Sequence, residues 1–345
     1  MEVPSIFLNK ILLEAAKRNA YSLHLTVGSQ PVLRINGELV AMEAEDLLTL
    51  EIIEKVISSF ASAEEQERLK KNREIILVKT FAGSFRFRIN IFYQKDLPSL
   101  TFRYIPEAIK SLKELRLPPA VNNVPKVKSG LFVIAGSHGS GKTATSAAII
   151  EEINNNFKKR IITIEDPIEN LFISKRSLIE QREVGRDLTS AVDGLQYSIE
   201  EDANVIYVGE IERELKEAMP LIMELASGNS LVLLEINADS VVRVIEKIFT
   251  YLKDKISPEV YRYNLSDILY GIIAQKLVPR VGGGMVLAAE VLLANPAAKS
   301  LIREGRIYQL ESIMQTSRRE GMINMAKALE ELVKTGEIKL EENLN

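Results

Sequence analysis

The residues with the clearest chemical potential form a glycine-rich stretch that ends in lysine and threonine. Residues 136–143 read GSHGSGKT and satisfy the pattern G-x-x-x-x-G-K-[ST]. The apolar residues 131–135 precede this stretch and helix-forming residues 144–153 follow it. That is the strand, loop and helix context in which the pattern binds phosphate. The sequence therefore predicts a loop that holds the phosphates of a nucleoside triphosphate together with Mg²⁺.

Each part of this loop has a chemical reason. Glycine lets the backbone curl so that successive amide N–H groups converge on phosphate oxygens, and the following helix points its positive end at the same place. Lys142 is predicted to contact the outer phosphates and Thr143 to bind Mg²⁺. His138 occupies an unconstrained position, so we expect no catalytic role for it. The residues predicted to bind ATP here are Gly136, Ser137, His138, Gly139, Ser140, Gly141, Lys142, Thr143 and Ala144.

Carboxylates follow two further apolar segments. Glu165, Asp166 and Glu169 lie at and just beyond the end of the segment RIITIE, where ligands gather in parallel sheets. They could organise Mg²⁺ or polarise water, although an acidic strand end is also typical of a helix cap or a solvated turn. Glu210 ends the segment VIYVGE, which fits a Walker B variant. We predict that Glu210 orients and deprotonates the attacking water, against the alternative of an ordinary strand-terminal glutamate. The predicted catalytic residues are Glu210, Glu165 and Asp166, and the predicted metal-binding residues are Thr143, Glu165 and Glu210.

The elements that must position these residues fall into two blocks. Residues 1–105 are predicted to form an α+β domain, because a helical pattern over residues 5–18 gives way to alternating segments such as SFRFRINIFY. Residues 106–125 carry four prolines and are predicted to be a linker. Residues 126–345 alternate apolar strands with helical segments, which predicts an α/β domain whose largely parallel sheet has helices on both faces.

Composition narrows the classes of function. The 345 residues include no cysteine, which excludes a disulfide framework, a thiolate zinc site and a cysteine nucleophile. The formal net charge of −3 lacks the basic excess of a duplex-binding domain, so nucleic acid is disfavoured as a partner. The N-terminus does not read as a secretory signal, and no apolar run approaches the roughly 18 residues of a spanning helix. We therefore expect a cytoplasmic protein without a transmembrane segment.

The order of the motifs resembles that of the secretion and type IV pilus ATPases, over nearly the whole chain. The absence of cysteine favours the pilus-retraction branch over assembly-type relatives, which commonly carry a tetracysteine zinc site. The matching C-terminal segments are GSGKT, IEDPIE, QREVG, VGE, LIREG and MQT, and the matching N-terminal segments are LHL, RING, RFRIN and FRYIP.

The resemblance implies a PAS-like N-terminal domain and a RecA-like P-loop NTPase domain. It also implies a hexameric ring that couples ATP turnover to pilus disassembly at an inner-membrane pilus platform protein, with the ring at the cytoplasmic face. By position, Arg86, Arg88 and Arg103 would belong to the N-terminal face that reaches the nucleotide in the ring. The alternative is that they are surface arginines on a half-exposed sheet.

The sequence departs from the family pattern where the family has its His box. Asn229 and Ile236 occupy the positions that the resemblance assigns to two histidines, and Gln196, Glu200 and Glu212 stand where arginines are usual. Each lost charge-assisted contact could raise the barrier to hydrolysis. The leading hypothesis is therefore an ATPase motor, and the second is a nucleotide-binding paralogue of little or no activity that regulates a pilus or secretion motor. A DNA-translocating motor is disfavoured by the charge balance.

Overall fold

The computed structural model describes residues 4–339 except residues 19, 36, 82 and 84. The chain divides into two compact units, residues 1–108 and residues 109–345. Among the described residues, no helix combines the length and the apolar character needed to cross a bilayer.

The first unit is built on an antiparallel sheet with the strand order β3-β2-β1-β6-β5-β4. Its elements in chain order are α1 (Pro4–Lys17), β1 (Ser22–Thr26), β2 (Val32–Ile35), β3 (Glu38–Ala41), α2 (Leu50–Phe60), α3 (Ala63–Asn72), β4 (Glu74–Phe81), β5 (Phe85–Gln94) and β6 (Leu97–Ile105). The predicted N-terminal helix and the alternating strand near residues 84–93 are confirmed.

Local sequence signals explain where the helices of this unit begin. Thr49 caps α2 by accepting a hydrogen bond from the backbone N–H of Ile52. Ser62 and Glu65 form a reciprocal capping box at the start of α3. In β5 the alternation places Phe87 and Ile89 in the core, and the arginines beside them lie on the opposite face.

The second unit is built on a seven-stranded sheet with the order β13-β12-β7-β11-β10-β8-β9. Its elements are a 3₁₀ helix (Pro119–Lys126), β7 (Gly130–Gly136), α4 (Lys142–Asn156), β8 (Arg160–Glu165), β9 (Leu178–Glu183), α5 (Ala191–Glu200), β10 (Val205–Val208), α6 (Leu215–Ser227), β11 (Leu231–Ile236), α7 (Val241–Leu252), α8 (Pro258–Ile268), β12 (Leu269–Pro279), β13 (Met285–Leu293), α9 (Pro296–Glu304), a 3₁₀ turn (Ile307–Gln309), α10 (Leu310–Thr316), a 3₁₀ turn (Arg318–Glu320) and α11 (Met325–Lys334). All neighbouring strands are parallel except the β12–β13 pair, so the predicted largely parallel sheet is confirmed.

Helices cover both faces of this sheet, and β7 shows why. Leu131 and Val133 face a core shared with α5, α6, α7 and α8, while Phe132 and Ile134 face a second core shared with α4. A strand buried on both faces must be apolar throughout, as β7 is. The segment of residues 106–125 supplies buried side chains to the second core, among them Leu112, Val121 and Val124.

Candidate nucleotide-binding site

The glycine-rich loop lies between the carboxyl end of β7 and the start of α4. Gly141 is the N-cap of α4, with φ of 91°, and it has no side chain to occupy the first N–H groups of the helix. Gly136 has φ of 155°, and a Cβ there would lie 2.2 Å from Ser140 Oγ and 2.4 Å from the backbone oxygen of Gln275. The loop therefore needs glycine for its close packing, and it leaves the amino end of a 15-residue helix available for an anion.

Lys142 lies inside this loop with only 4% of its surface exposed. Its Nζ donates hydrogen bonds to the backbone oxygens of Gly136 and Ser137, at 3.1 and 3.2 Å, and to Asn237 Oδ1 at 2.8 Å. The same Nζ is 3.5 Å from Glu210 Oε2. The ammonium group is thus held at the mouth of the loop, where the sequence predicts that it meets phosphate.

Glu210 follows β10 after a single residue, Gly209, and its carboxylate faces the loop. Its Oε1 accepts a hydrogen bond from Asn237 Nδ2 at 2.6 Å and lies 3.5 Å from His138 Nδ1. The contact with His138, followed by those with Asn237 and Lys142, holds the pKa of Glu210 well below its usual range in spite of partial burial. The structure therefore brings together Lys142 and Glu210, and it presents Glu210 as a carboxylate. His138 contacts Glu210, a contact that the loop pattern alone does not indicate.

Asn237 is a site residue that the sequence analysis missed. It bridges Lys142 and Glu210, whereas Ile236 is fully buried in the hydrophobic core on the opposite side of β11. Successive residues of a strand point to opposite faces, so a shift of one residue separates a core position from a site position. The sequence feature that could have identified Asn237 is its position as a polar residue immediately after the apolar strand β11.

Glu235 is a second missed residue, and its carboxylate is buried beneath the loop with 1% exposed. Its Oε1 accepts hydrogen bonds from Ser146 Oγ and Tyr207 OH, both at 2.7 Å. Its Oε2 lies 3.4 Å from Thr143 Oγ1, which donates to it. Burial raises the pKa of Glu235 to about 7. The signal was a glutamate inside the otherwise apolar run LVLLEI.

Glu165 ends β8 and is also buried, with 3% exposed. Its Oε1 accepts hydrogen bonds from Thr163 Oγ1 at 2.6 Å and from Gln181 Nε2 at 3.2 Å. Burial raises the pKa of Glu165 to about 7, and the neighbouring charge of Glu235 acts in the same direction. Asp166, the next residue, is exposed. The two acids predicted together therefore lie in opposite environments.

Gln275 of β12 braces the loop from the other side. Its Nε2 donates to the backbone oxygen of Ser140 at 3.0 Å, and its Oε1 accepts from Thr145 Oγ1 at 3.0 Å. The side chain is 2% exposed, so both amide groups are satisfied within the protein. No sequence pattern marks this residue, because it reaches the loop only through the place of β12 beside β7 in the sheet.

The three arginines of the first unit lie on neighbouring strands. Arg88 of β5 is directly opposite Arg103 of β6, and Arg86 is two residues from Arg88 on the same face of β5. The guanidinium of Arg103 also lies over the ring of Tyr21, 5.0 Å from its centroid. The sheet register thus gathers all three positive charges on one face of the first unit.

Comparisons with known proteins agree with this arrangement. Residues 2–344 match the family described as Type II/IV secretion system protein. The type IV pilus retraction ATPase PilT of Pseudomonas aeruginosa is 33% identical over 97% of this chain and 96% of its own. The type IV pilus ATPase PilU of the same organism is 32% identical over 97% of this chain and 87% of its own. A crystal structure of the pilus retraction motor PilT with bound ADP superposes with a TM-score of 0.83, at 36% identity, over 97% of this chain and 95% of that one.

Proposed function

This chain belongs to the type II/IV secretion system protein family, and from that premise we propose that it is a Mg²⁺-dependent ATPase that powers the retraction of type IV pili. The proposal rests on one observation: at the glycine-rich loop, Asn237 is hydrogen-bonded to both Lys142 and Glu210, and these two form an ion pair. The similarity to PilT over nearly the full length of both chains supports the same function.

Nucleotide binding follows from the loop. The backbone amides of residues 136–144 and the amino end of α4 supply donors and positive potential for the phosphates. A phosphate oxygen would take over the hydrogen bonds that Lys142 makes to carbonyl and amide oxygens. Mg²⁺ prefers hard oxygen ligands and is usually held by few protein groups together with phosphate oxygens. The hydroxyl of Thr143 and the carboxylates of Glu165 and Glu210 fit that preference, and when bound the ion would neutralise phosphate charge.

Hydrolysis requires a group that orients the attacking water, and we assign this role to Glu210. Contacts with His138, Asn237 and Lys142 lower the pKa of Glu210 and keep it ionised at neutral pH. Its carboxylate can therefore accept a hydrogen bond from the attacking water and orient it. Asn237 holds the carboxylate at a fixed distance from Lys142. Glu165 and Asp166 are proposed to assist from the neighbouring strand end.

The remaining features of the family are proposals for this chain. We assign residues 1–105 to a PAS-like domain, residues 106–125 to a linker and residues 126–345 to a RecA-like ATPase domain. We propose a homo-hexameric ring at the cytoplasmic face of the inner membrane, docked on a pilus platform protein. In such a ring Arg86, Arg88 and Arg103 would stabilise charge that develops on the γ-phosphate. Their clustering on one face supports that role.

A second candidate function is supported by one observation. The position that bridges Lys142 and Glu210 holds Asn237, which is neutral at every pH and cannot accept a proton from the reaction. A site built in this way could bind nucleotide and hydrolyse it slowly. The chain would then be a regulatory member of a motor ring.

Steady-state ATP turnover of the purified full chain separates the two functions. We expect Mg²⁺-dependent turnover that falls about 100-fold or more in both Lys142→Ala and Glu210→Gln, because each removes a charged group that acts on the reacting phosphate. Nucleotide binding should be retained in Glu210→Gln. Equal residual rates for the wild type and both variants, with nucleotide binding intact in the wild type, would favour the regulatory function.

A further inference from the structure

The strand that supplies Glu210 has no aspartate. In P-loop NTPases, Mg²⁺ is held by the loop serine or threonine and by an aspartate of the Walker B strand. Residues 205–210 read Val-Ile-Tyr-Val-Gly-Glu, with Gly209 in front of the glutamate. The carboxylate that contacts Thr143 comes instead from β11, where Glu235 lies beside β7 in the sheet.

Glu235 is held in one orientation by side chains of two elements, α4 and β10. Ser146 of α4 and Tyr207 of β10 both donate to Oε1 at 2.7 Å, and this leaves Oε2 directed at Thr143 Oγ1 at 3.4 Å. With 1% of the residue exposed, the side chain has no room for another rotamer without breaking these bonds. A carboxylate locked in this way presents a fixed acceptor beside the residue expected to bind the metal.

The hydrogen bond from Thr143 to Glu235 would control the direction of the threonine hydroxyl. A threonine hydroxyl has one proton and two lone pairs. When a lone pair is directed at a cation, the proton must point elsewhere, and a proton that points into the protein needs an acceptor there. Glu235 Oε2 lies where Thr143 Oγ1 can donate to it. Such outer partners orient the atoms that bind a metal and strengthen their interaction with it.

We propose that Glu235 is a positioning residue for Mg²⁺ in this chain, in place of the Walker B aspartate. It accepts a hydrogen bond from the hydroxyl of Thr143, and this bond would leave the oxygen lone pairs of Thr143 free to face the ion. Ser146 and Tyr207 hold Glu235 in place for this purpose. The inference rests on the proposed function, because it concerns the metal that accompanies the nucleotide.

The test is the Mg²⁺ dependence of nucleotide binding, measured without turnover. The fluorescent analogue mant-ATP is titrated into the full chain in EDTA and at graded free Mg²⁺, for the wild type and for Glu235→Gln. We expect the free Mg²⁺ required for half-maximal enhancement of binding to rise about 10-fold or more in the variant, the usual effect of losing such a partner. Affinity in EDTA should stay within about twofold, because the phosphate-binding amides and Lys142 are unchanged.

Two further variants control this test. Glu224→Gln removes an exposed carboxylate of α6 and should leave the Mg²⁺ requirement unchanged. Glu235→Asp keeps the carboxyl group but withdraws it by one methylene from Thr143, and it should raise the Mg²⁺ requirement several-fold even if Glu235→Gln does not fold. An unchanged Mg²⁺ requirement in a folded Glu235 variant would overturn this inference alone. Failure of the wild type to bind mant-ATP at any Mg²⁺ concentration would overturn the proposed function, and this inference with it.

Discussion

Two regions of the second unit bury a glutamate, and they satisfy it in different ways. Glu235 lies under the glycine-rich loop and is satisfied by side-chain hydroxyl groups of Ser146, Tyr207 and Thr143. Glu290 lies on β13, the edge strand that is separated from β7 by β12, and it accepts hydrogen bonds from the backbone N–H groups of Val241 and Met325, the first residues of α7 and α11. Burial raises the pKa of both carboxyl groups.

The difference separates a structural acid from a functional one. Backbone N–H groups at the start of two helices cannot turn away, so Glu290 ties α7 and α11 to the sheet and stabilises the fold. Hydroxyl groups can rotate, and one of them belongs to Thr143, the residue expected to bind Mg²⁺. A buried carboxylate is therefore a candidate for function when its donors are mobile groups that a ligand can also use.

The largest expected effect comes from adding a methyl group to the loop itself. In Gly136→Ala the new Cβ would lie 2.2 Å from Ser140 Oγ and 2.4 Å from the backbone oxygen of Gln275, so the loop must shift. We expect MgATP binding to weaken about 100-fold or more, measured by calorimetry. Gly282→Ala is the matched control, because Gly282 also has positive φ, of 87°, but its Cβ would meet no atom within 4 Å. Binding by folded Gly136→Ala within threefold of the wild type would contradict the assigned role of the loop.

A smaller effect is expected when the bridge between the two charges is removed. Asn237→Ala deletes a hydrogen bond to each of Lys142 and Glu210, and bonds to charged groups contribute about 1.5–3 kcal/mol. We expect ATP turnover to fall at least about 10-fold, with MgATP affinity changed less. Asn156→Ala, which removes an exposed amide that donates to Glu152 within α4, should leave turnover unchanged. Equal turnover in the two variants would show that Asn237 does not contribute to ATP hydrolysis.

The smallest effect on nucleotide is expected at the structural acid. Glu290→Gln should leave MgATP binding unchanged, and it should alter the pH dependence of stability instead. Burial raises the pKa of Glu290 in the folded protein above its ordinary value of 4.5. The raised pKa stabilises the fold fully at a pH below 4.5, where the carboxyl group is protonated in both the folded and the unfolded chain. This contribution to stability is lost as the pH rises through the raised pKa of the folded protein. A tenfold change in a protonation equilibrium between the folded and unfolded chains corresponds to about 1.4 kcal/mol of stability.

The pH dependence is checked with urea unfolding midpoints of both proteins between pH 4 and pH 8. Glutamine does not titrate, so the stability of the wild type should fall relative to Glu290→Gln as the pH rises. A stability difference that is independent of pH would show that Glu290 does not hold its proton in the fold. A loss of MgATP binding in a folded Glu290→Gln protein would show that Glu290 also acts on nucleotide and would contradict its assignment as a purely structural acid.

The sequence predicted the parts of the site that are contiguous in the chain. The loop of residues 136–143 and the strand-terminal Glu210 each carry a local pattern, and the largely parallel sheet follows from the alternation of apolar strands with helices. Glu235, Asn237 and Gln275 carry no such pattern. They reach the loop only because β11 and β12 lie on either side of β7, and the order of segments along the chain does not give that strand order.

One position that the resemblance assigned and one strand that was not predicted depend on features that local patterns resolve poorly. The resemblance pointed to Ile236, but the alternation of side chains along β11 places Ile236 in the core and Asn237 at the site. β9 was missed because four of its six residues, LIEQRE, are polar and no residue of this edge strand is buried. Edge strands have one unpaired side and carry a weaker apolar signal than central strands.

The most direct test of the central claim is calorimetric titration of the well-folded full chain with MgATP and MgADP. We expect saturable binding of one nucleotide per chain, and its loss in Lys142→Ala, because the ammonium group of Lys142 and the amides of the glycine-rich loop hold the phosphates. No saturable binding of either nucleotide by the wild type would contradict both proposed functions, the pilus-retraction ATPase and the regulatory member of a motor ring.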